Sequence, residues 1–186
     1  MCGAFERELI RHCAATLAGH KCGSLFSWRA CPGATIADCL REANRALAPR
    51  GVRLYLLRRD GDGGLVYVYR PSMLKRRLQD AQVRRFLAEC GYGGGGCGEC
   101  LRALARRASA QDGFPHEIGV FLDYPLEDVL GFIRHGGGGY RCVGCWKVYG
   151  DEQAARRRFE LYRKCQRIYL ECYRRGFGVA RLTVAA

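Results

Sequence analysis

Six side chains that can donate or accept protons lie in two short stretches of the sequence, residues 114–133 and 146–151. They are His116, Glu117, Tyr124, Asp128, Lys147 and Tyr149. Enzymes use these residue types as general acids and bases, so we take them as candidate catalytic or ligand-binding groups. A structural role competes with this interpretation, because adjacent strand residues point to opposite faces and His116 and Glu117 could not then share a pocket. No Ser-His-Asp order, nucleophile elbow or dinucleotide fingerprint accompanies them, so the question of enzymatic activity stays open.

Two of the cysteine pairs have the spacing of metal ligands. The chain contains 12 cysteines, and these pairs are Cys97/Cys100 and Cys142/Cys145. Four thiolates are a usual tetrahedral ligand set for zinc, and iron accepts the same donors. Residues 101–141 separate the two pairs, however, whereas a compact zinc site has roughly 15–20 residues between its pairs. The spacing therefore favours independent thiols, with a shared zinc or iron site as the alternative.

The overall charge is strongly basic, which raises the question of a polyanionic partner. The 186 residues include 31 Lys+Arg against 18 Asp+Glu, giving a formal net charge of +13. The arginines are scattered in pairs along the chain and do not cluster with stacking aromatic residues, so nucleic-acid binding is an alternative that we do not favour. Residues 111–150 escape the basic excess, with three basic and five acidic residues, and they contain all six candidate groups. We therefore expect the functional site in this segment.

Composition and hydropathy restrict the class of protein. Hydrophobic residues make up 48% of the chain, which is enough for a packed core and excludes wholesale disorder. No apolar run approaches the ~18 residues that cross a bilayer, so we expect no membrane partner. The first eight residues include acids where an export signal would be basic and then apolar. These features predict a cytoplasmic protein whose thiols are reduced.

The elements that must position the candidate groups follow from hydrophobic periodicity. The predicted strands cover residues 24–28, 52–58, 64–69, 117–122 and 146–149. Helical periods precede, separate and follow them, and a long helix is predicted over residues 152–175 with Asp151 as its cap. After the predicted strand 117–122, a helix should begin near Asp123 or Tyr124, with Pro125 in its first turn.

This pattern predicts one α/β domain over residues 1–186. We expect a central mixed sheet of about five strands, flanked by helices, with a long C-terminal helix. Ligands of such folds usually bind beyond the carboxyl ends of the strands. The side chains expected there are Asp123, Tyr124, Asp128, Tyr149 and Asp151.

The chain also resembles a known bacterial family. The stretch 114–122, which reads Phe-Pro-His-Glu-Ile-Gly-Val-Phe-Leu, is followed by Tyr124-Pro125-Leu126 and Asp128-Val129. In these blocks the sequence resembles the domain of unknown function 3793. Further similar blocks lie at residues 14–19, 24–26, 66–70, 144–149 and 181–184. The resemblance thus extends over essentially the whole chain.

The resemblance carries expectations of its own. Members of that family are small cytoplasmic proteins, mainly of anaerobic Gram-positive bacteria, with no assigned activity. Some are encoded near iron-uptake and flavodoxin genes, which implies iron-related or redox physiology. The family pattern has glycine where this chain has Asp123, and it lacks the Cys97/Cys100 pair. This last difference weakens the hypothesis of a four-thiolate site.

Together, these observations predict a cytoplasmic protein that binds a small ligand or takes part in metal or redox chemistry. A basic nucleic-acid-binding module is the alternative. The sequence offers that alternative no helix-turn-helix, RNA-recognition motif or stacking platform.

Overall fold

A three-stranded antiparallel sheet forms the centre of the fold. The computed structural model describes residues 2–31, 33–110 and 114–185. The strands are β1 (Gly23–Arg29), β2 (Arg53–Asp60) and β3 (Gly63–Tyr69), arranged in the order β1-β3-β2. The predicted hairpin is confirmed as β2 and β3, joined by a tight turn in which Gly61 has a φ of +53°. Positive φ suits glycine because it has no Cβ.

Nine α-helices surround the strands in the described residues. They are α1 (Gly3–Leu17), α2 (Ile36–Leu47), α3 (Pro71–Gln79), α4 (Ala81–Glu89), α5 (Cys97–Ser109), α6 (Ile118–Phe121), α7 (Leu126–Arg134), α8 (Glu152–Arg174) and α9 (Val179–Leu182). The predicted long C-terminal helix is confirmed as α8. Asp151 caps it, because its carboxylate accepts a hydrogen bond from the Ala154 amide at 2.9 Å. None of the described helices is long and apolar enough to cross a membrane.

The prediction of a five-stranded mixed sheet is wrong. Residues 118–121 of the predicted strand 117–122 form the short helix α6. The predicted strand 146–149 does not join the central sheet either. A short, continuous apolar run suits a buried strand or a buried helix equally, and periodicity cannot separate the two. Here the backbone amides of this run bond locally, for example Val120 to the Glu117 carbonyl at 3.0 Å and Leu122 to the Ile118 carbonyl at 3.0 Å. The run therefore satisfies its own backbone and needs no neighbouring strand.

The strand predicted over residues 146–149 exists as a shorter element in a separate hairpin. Strand β5 (Lys147–Val148) pairs antiparallel with β4 (Cys142–Val143), so that Cys142 lies opposite Val148. All strand pairs in the described residues are antiparallel, which removes the parallel strands that the mixed sheet required.

Side chains of the central strands point alternately to the two faces of the sheet, and each face is covered by its own hydrophobic core. Tyr67 packs on one face of the sheet with α3, α4, α5 and α6, whereas Val66 and Val68 pack on the other face with α1 and α2. A third cluster joins α1 to the β4–β5 hairpin and α8 through Trp146 and Phe159. This third cluster fixes the hairpin that carries several of the candidate groups.

Candidate functional site

A pocket of about 380 Å³ lies between helices α6 and α7 and the β4–β5 hairpin. Its lining is mostly apolar and aromatic, with a few polar groups, as is usual for small-molecule sites. The lining residues are His116, Ile118, Gly119, Tyr124, Asp128, Val129, Phe132, Val143, Gly144, Cys145, Trp146 and Lys147. We call this cavity the hairpin pocket. Four of the six candidate acid–base residues and one candidate cysteine line it.

Asp128 holds the two sides of the hairpin pocket together. It lies in the first turn of α7 and is only 3% exposed. One carboxylate oxygen accepts a hydrogen bond from the Trp146 indole at 2.6 Å. The other accepts from the backbone amides of Tyr149 at 2.7 Å and Gly150 at 2.9 Å. Because both oxygens are used within the fold, Asp128 is an anchor of the hairpin, and this role accounts for its burial.

Aromatic rings form the inner wall of the hairpin pocket. The rings of Tyr124 and Trp146 stack with centroids 4.8 Å apart, and Phe159 meets Trp146 edge-on at 4.5 Å from outside the pocket. The Tyr124 hydroxyl donates to the Cys145 carbonyl at 3.2 Å. Burial raises the pKa of Tyr124 to about 12, so at neutral pH the phenol stays protonated and cannot act as a base.

The rim of the hairpin pocket carries Lys147 and His116. The Lys147 ammonium donates to the Gly137 carbonyl at 2.6 Å and lies 5.0 Å from the centroid of the Tyr140 ring. The His116 ring is exposed and meets Phe132 edge-on at 4.9 Å. These two side chains place basic nitrogens beside an aromatic wall, which is an arrangement suited to a flat ligand with a negative charge.

Two of the candidate acid–base residues lie outside this pocket. Glu117 is 4% exposed, and it accepts hydrogen bonds from Arg107 and from the Tyr92 hydroxyl. Its charge adds to burial in raising the pKa of Tyr92. The Tyr149 ring stacks on His135 at 5.7 Å, and its hydroxyl is buried without a hydrogen-bond partner among the described residues. Glu117 and His116 thus face different surroundings, although they occupy a turn and not a strand.

The structure does not bring the two cysteine pairs together. Cys97 and Cys100 belong to α5 and pack in the core with α3 and α4, whereas Cys142 packs against the cluster around α8. Of these four cysteines, only Cys145 lines the hairpin pocket. Within residues 2–31, 33–110 and 114–185, no three His, Cys, Asp or Glu side chains are grouped so that they could hold a metal ion. Loss of solvent around the Cys145 thiol raises its pKa, and the nearby positive charges of Lys21 and Arg163 oppose that effect.

Sequence reasoning missed the apolar residues that shape the pocket. Phe132 follows Asp128 by four residues on α7, so the two lie on the same side of that helix and line one cavity. Trp146 directly follows the second cysteine pair. Helical spacing could have indicated Phe132, but no local signal indicated that α7 and the hairpin would meet.

The comparisons with known proteins give one family and no individual relative. The model of the family described as Protein of unknown function (DUF3793) matches residues 9–183. No curated protein and no solved structure matches the chain significantly. This match confirms the resemblance that the sequence blocks had indicated. Since the family model covers nearly the whole chain, this protein belongs to the DUF3793 family.

Proposed function

We propose that this protein binds a small, flat organic anion in the hairpin pocket. The observation that carries the proposal is the combination, in one cavity of about 380 Å³, of stacked aromatic rings with two basic side chains at the rim. Small-molecule sites typically combine apolar walls with a few polar groups that fix orientation. The sequence was compatible both with small-ligand binding and with metal or redox chemistry. The lining of this cavity favours small-ligand binding.

The charge of the proposed ligand follows from the groups that remain free to bind it. Asp128 directs both oxygens to donors of the hairpin, so its negative charge is already satisfied. Lys147 uses one of its three ammonium protons on the Gly137 carbonyl, which leaves two for a ligand. A carboxylate or sulfonate beside Lys147 would complete its hydrogen bonds, while the ring system of the ligand covers Trp146.

Nucleic-acid binding finds less support in the placement of the arginines. Several of them are used inside the fold. Arg70 is 2% exposed and donates to the carbonyls of Thr16 and Leu17 at 2.6 Å. Arg77 donates to the Tyr124 carbonyl at 2.6 Å. These contacts give part of the basic excess a structural explanation.

The test is a fluorescence titration with 8-anilinonaphthalene-1-sulfonate, an aromatic anion whose naphthalene ring is flat. The chain has two tryptophans, so Trp28→Phe leaves Trp146 as the only indole emitter. We expect saturable quenching of Trp146 by one equivalent of dye. Lys147→Met should weaken binding about 10-fold, because one charge-assisted hydrogen bond is lost. Lys164→Met, an exposed change on α8, is the matched control and should leave the affinity unchanged.

Two results would overturn the proposal. One is dye binding that Lys147→Met and Lys164→Met reduce equally, and the other is quenching that never saturates. Because this dye also binds loosely packed states, each variant must first show the near-UV circular dichroism of the parent protein.

A further inference from the structure

A second, smaller cavity lies beside α1 and α8 and shares Cys145 with the hairpin pocket. Its volume is about 140 Å³. Its polar lining consists of Arg11, His12, Lys21, Ser24, Cys145, Tyr162, Arg163 and Gln166. Four of these eight residues are of basic types, and no Asp or Glu is among the described residues that line the cavity. We call this cavity the Lys21 cavity.

The four basic side chains of the Lys21 cavity differ in what balances them. Glu8 lies 3.7 Å from Arg11 and 3.1 Å from His12, so these two have an acidic partner on α1. Lys21 and Arg163 have no hydrogen bond or ion pair with any residue in the described ranges. Two basic side chains of one small cavity therefore have no directly bonded acidic partner among the described residues.

Of the two, Lys21 has the greater need of an anionic partner, because its side chain is largely buried. Its ammonium lies 5.5 Å from the Tyr124 ring centroid and 5.6 Å from that of Tyr162. Burial lowers the pKa of Lys21, and electrostatic interactions with Cys145, Cys13, Cys22 and Asp123 oppose this shift. Contacts with aromatic faces attract a cation, but they do not replace an anionic partner, and buried charges in proteins are normally paired.

We propose that the Lys21 cavity binds a small oxyanion, with Lys21 and Arg163 as its charged ligands. The volume suits an ion of the size of phosphate or sulfate. Arg163 extends from α8 as an exposed side chain and can close on the ion from the solvent side. The Ser24 hydroxyl, held by Thr16 at 2.8 Å, lies at the same cavity. The Lys21 cavity adjoins the hairpin pocket at Cys145, but its charged ligands Lys21 and Arg163 do not line that pocket.

Calorimetric titration of the full chain with inorganic phosphate tests this inference. Ionic strength is held constant with NaCl, so that general screening does not contribute. We expect one saturable site. Both Lys21→Met and Arg163→Gln should weaken binding at least about 10-fold, since each removes a charge-assisted contact. Lys164→Met, one residue away from Arg163 on the exposed surface of α8, should bind phosphate as the parent does.

Thermal unfolding provides a second measurement, in which the effect of phosphate on Tm is compared among the parent protein and all three variants. Phosphate should raise the Tm of the parent and of Lys164→Met, but not that of Lys21→Met or Arg163→Gln. Acetate and glycerol phosphate, titrated in parallel, show whether a carboxylate or an esterified phosphate can replace the free ion. Absence of saturable phosphate binding, or an equal shift in all four proteins, would overturn the proposal. Failure of the dye titration at the hairpin pocket would leave this result unaffected, because the probes and the variants differ.

Discussion

Removal of the Asp128 carboxylate should detach the β4–β5 hairpin from α7. This side chain accepts three hydrogen bonds, at 2.6, 2.7 and 2.9 Å, from Trp146, Tyr149 and Gly150. In Asp128→Asn one oxygen remains as an acceptor, and the new amide directs N–H donors towards groups that are themselves donors. In Asp128→Ala all three donors lose their partner.

The magnitude follows from the number of donors left unpaired. A hydrogen bond to a charged group contributes about 1.5–3 kcal/mol, and a buried donor without a partner costs about 1–3 kcal/mol. The two backbone donors lie near the hairpin end and can recruit water, whereas the Trp146 indole is buried. We therefore expect Asp128→Asn to lower the free energy of unfolding by about 2 kcal/mol and Asp128→Ala by about 3–4 kcal/mol.

Urea denaturation measures these losses, and Glu127→Gln is the matched control. Glu127 is the preceding residue and is exposed; its carboxylate packs against Gly150 and lies 3.4 Å from the Asp151 amide, and Gln has nearly the same shape. Its substitution should cost less than about 0.5 kcal/mol. Trp146→Phe removes the indole donor, so the double variant with Asp128→Asn should show a coupling energy of about 1 kcal/mol. An Asp128→Asn protein as stable as Glu127→Gln would refute the anchoring role.

Three other predictions concern backbone strain, close packing and alkaline pH. Asp123 has a φ of +64°, the only positive value for a non-glycine among the described residues, so Asp123→Gly should be about 1 kcal/mol more stable than Asp123→Ala in urea; equal stabilities would contradict the strain. A Cβ on Gly144 would overlap the Phe159 ring, so Gly144→Ala should cost about 1–3 kcal/mol, and an unchanged urea midpoint would show that the hairpin is loosely packed. Burial raises the pKa of Cys13 and Cys22 above the ordinary thiol value of 9.0, so the unfolded chain releases protons above pH 9 that the folded chain retains. Stability should therefore fall by about 1 kcal/mol for each thiol between pH 9 and 10 under reducing conditions, and a Cys13→Ala protein with the same pH slope would contradict this.

Long, strongly periodic elements could be predicted from the sequence. The β2–β3 hairpin and α8 each carry local signals, namely a glycine-containing turn and an Asp cap, and both are present. The run 118–121 could not be assigned in the same way, because four buried apolar residues satisfy a strand or one helical turn equally. The choice of helix over strand depends on the core residues that surround α6, and these are distant in sequence.

The membership of the site depends on contacts that are distant in sequence. His116, Tyr124 and Lys147 were singled out by residue type, and they line one pocket. What joins them is the set of hydrogen bonds from Asp128 to the hairpin about twenty residues later, and no local pattern indicates such bonds. Glu117, chosen on the same grounds, pairs with Arg107 in another part of the fold.

The most direct test of ligand binding in the hairpin pocket is a nuclear magnetic resonance titration that observes both indole N–H groups. The Trp146 indole lines the pocket, whereas Trp28 belongs to the cluster on the far face of the sheet, so one spectrum contains the probe and its control. Addition of 8-anilinonaphthalene-1-sulfonate should shift the Trp146 resonance saturably and leave the Trp28 resonance in place. A Trp146 resonance that stays fixed while the dye binds, or two resonances that move together, would contradict a ligand site between α7 and the β4–β5 hairpin.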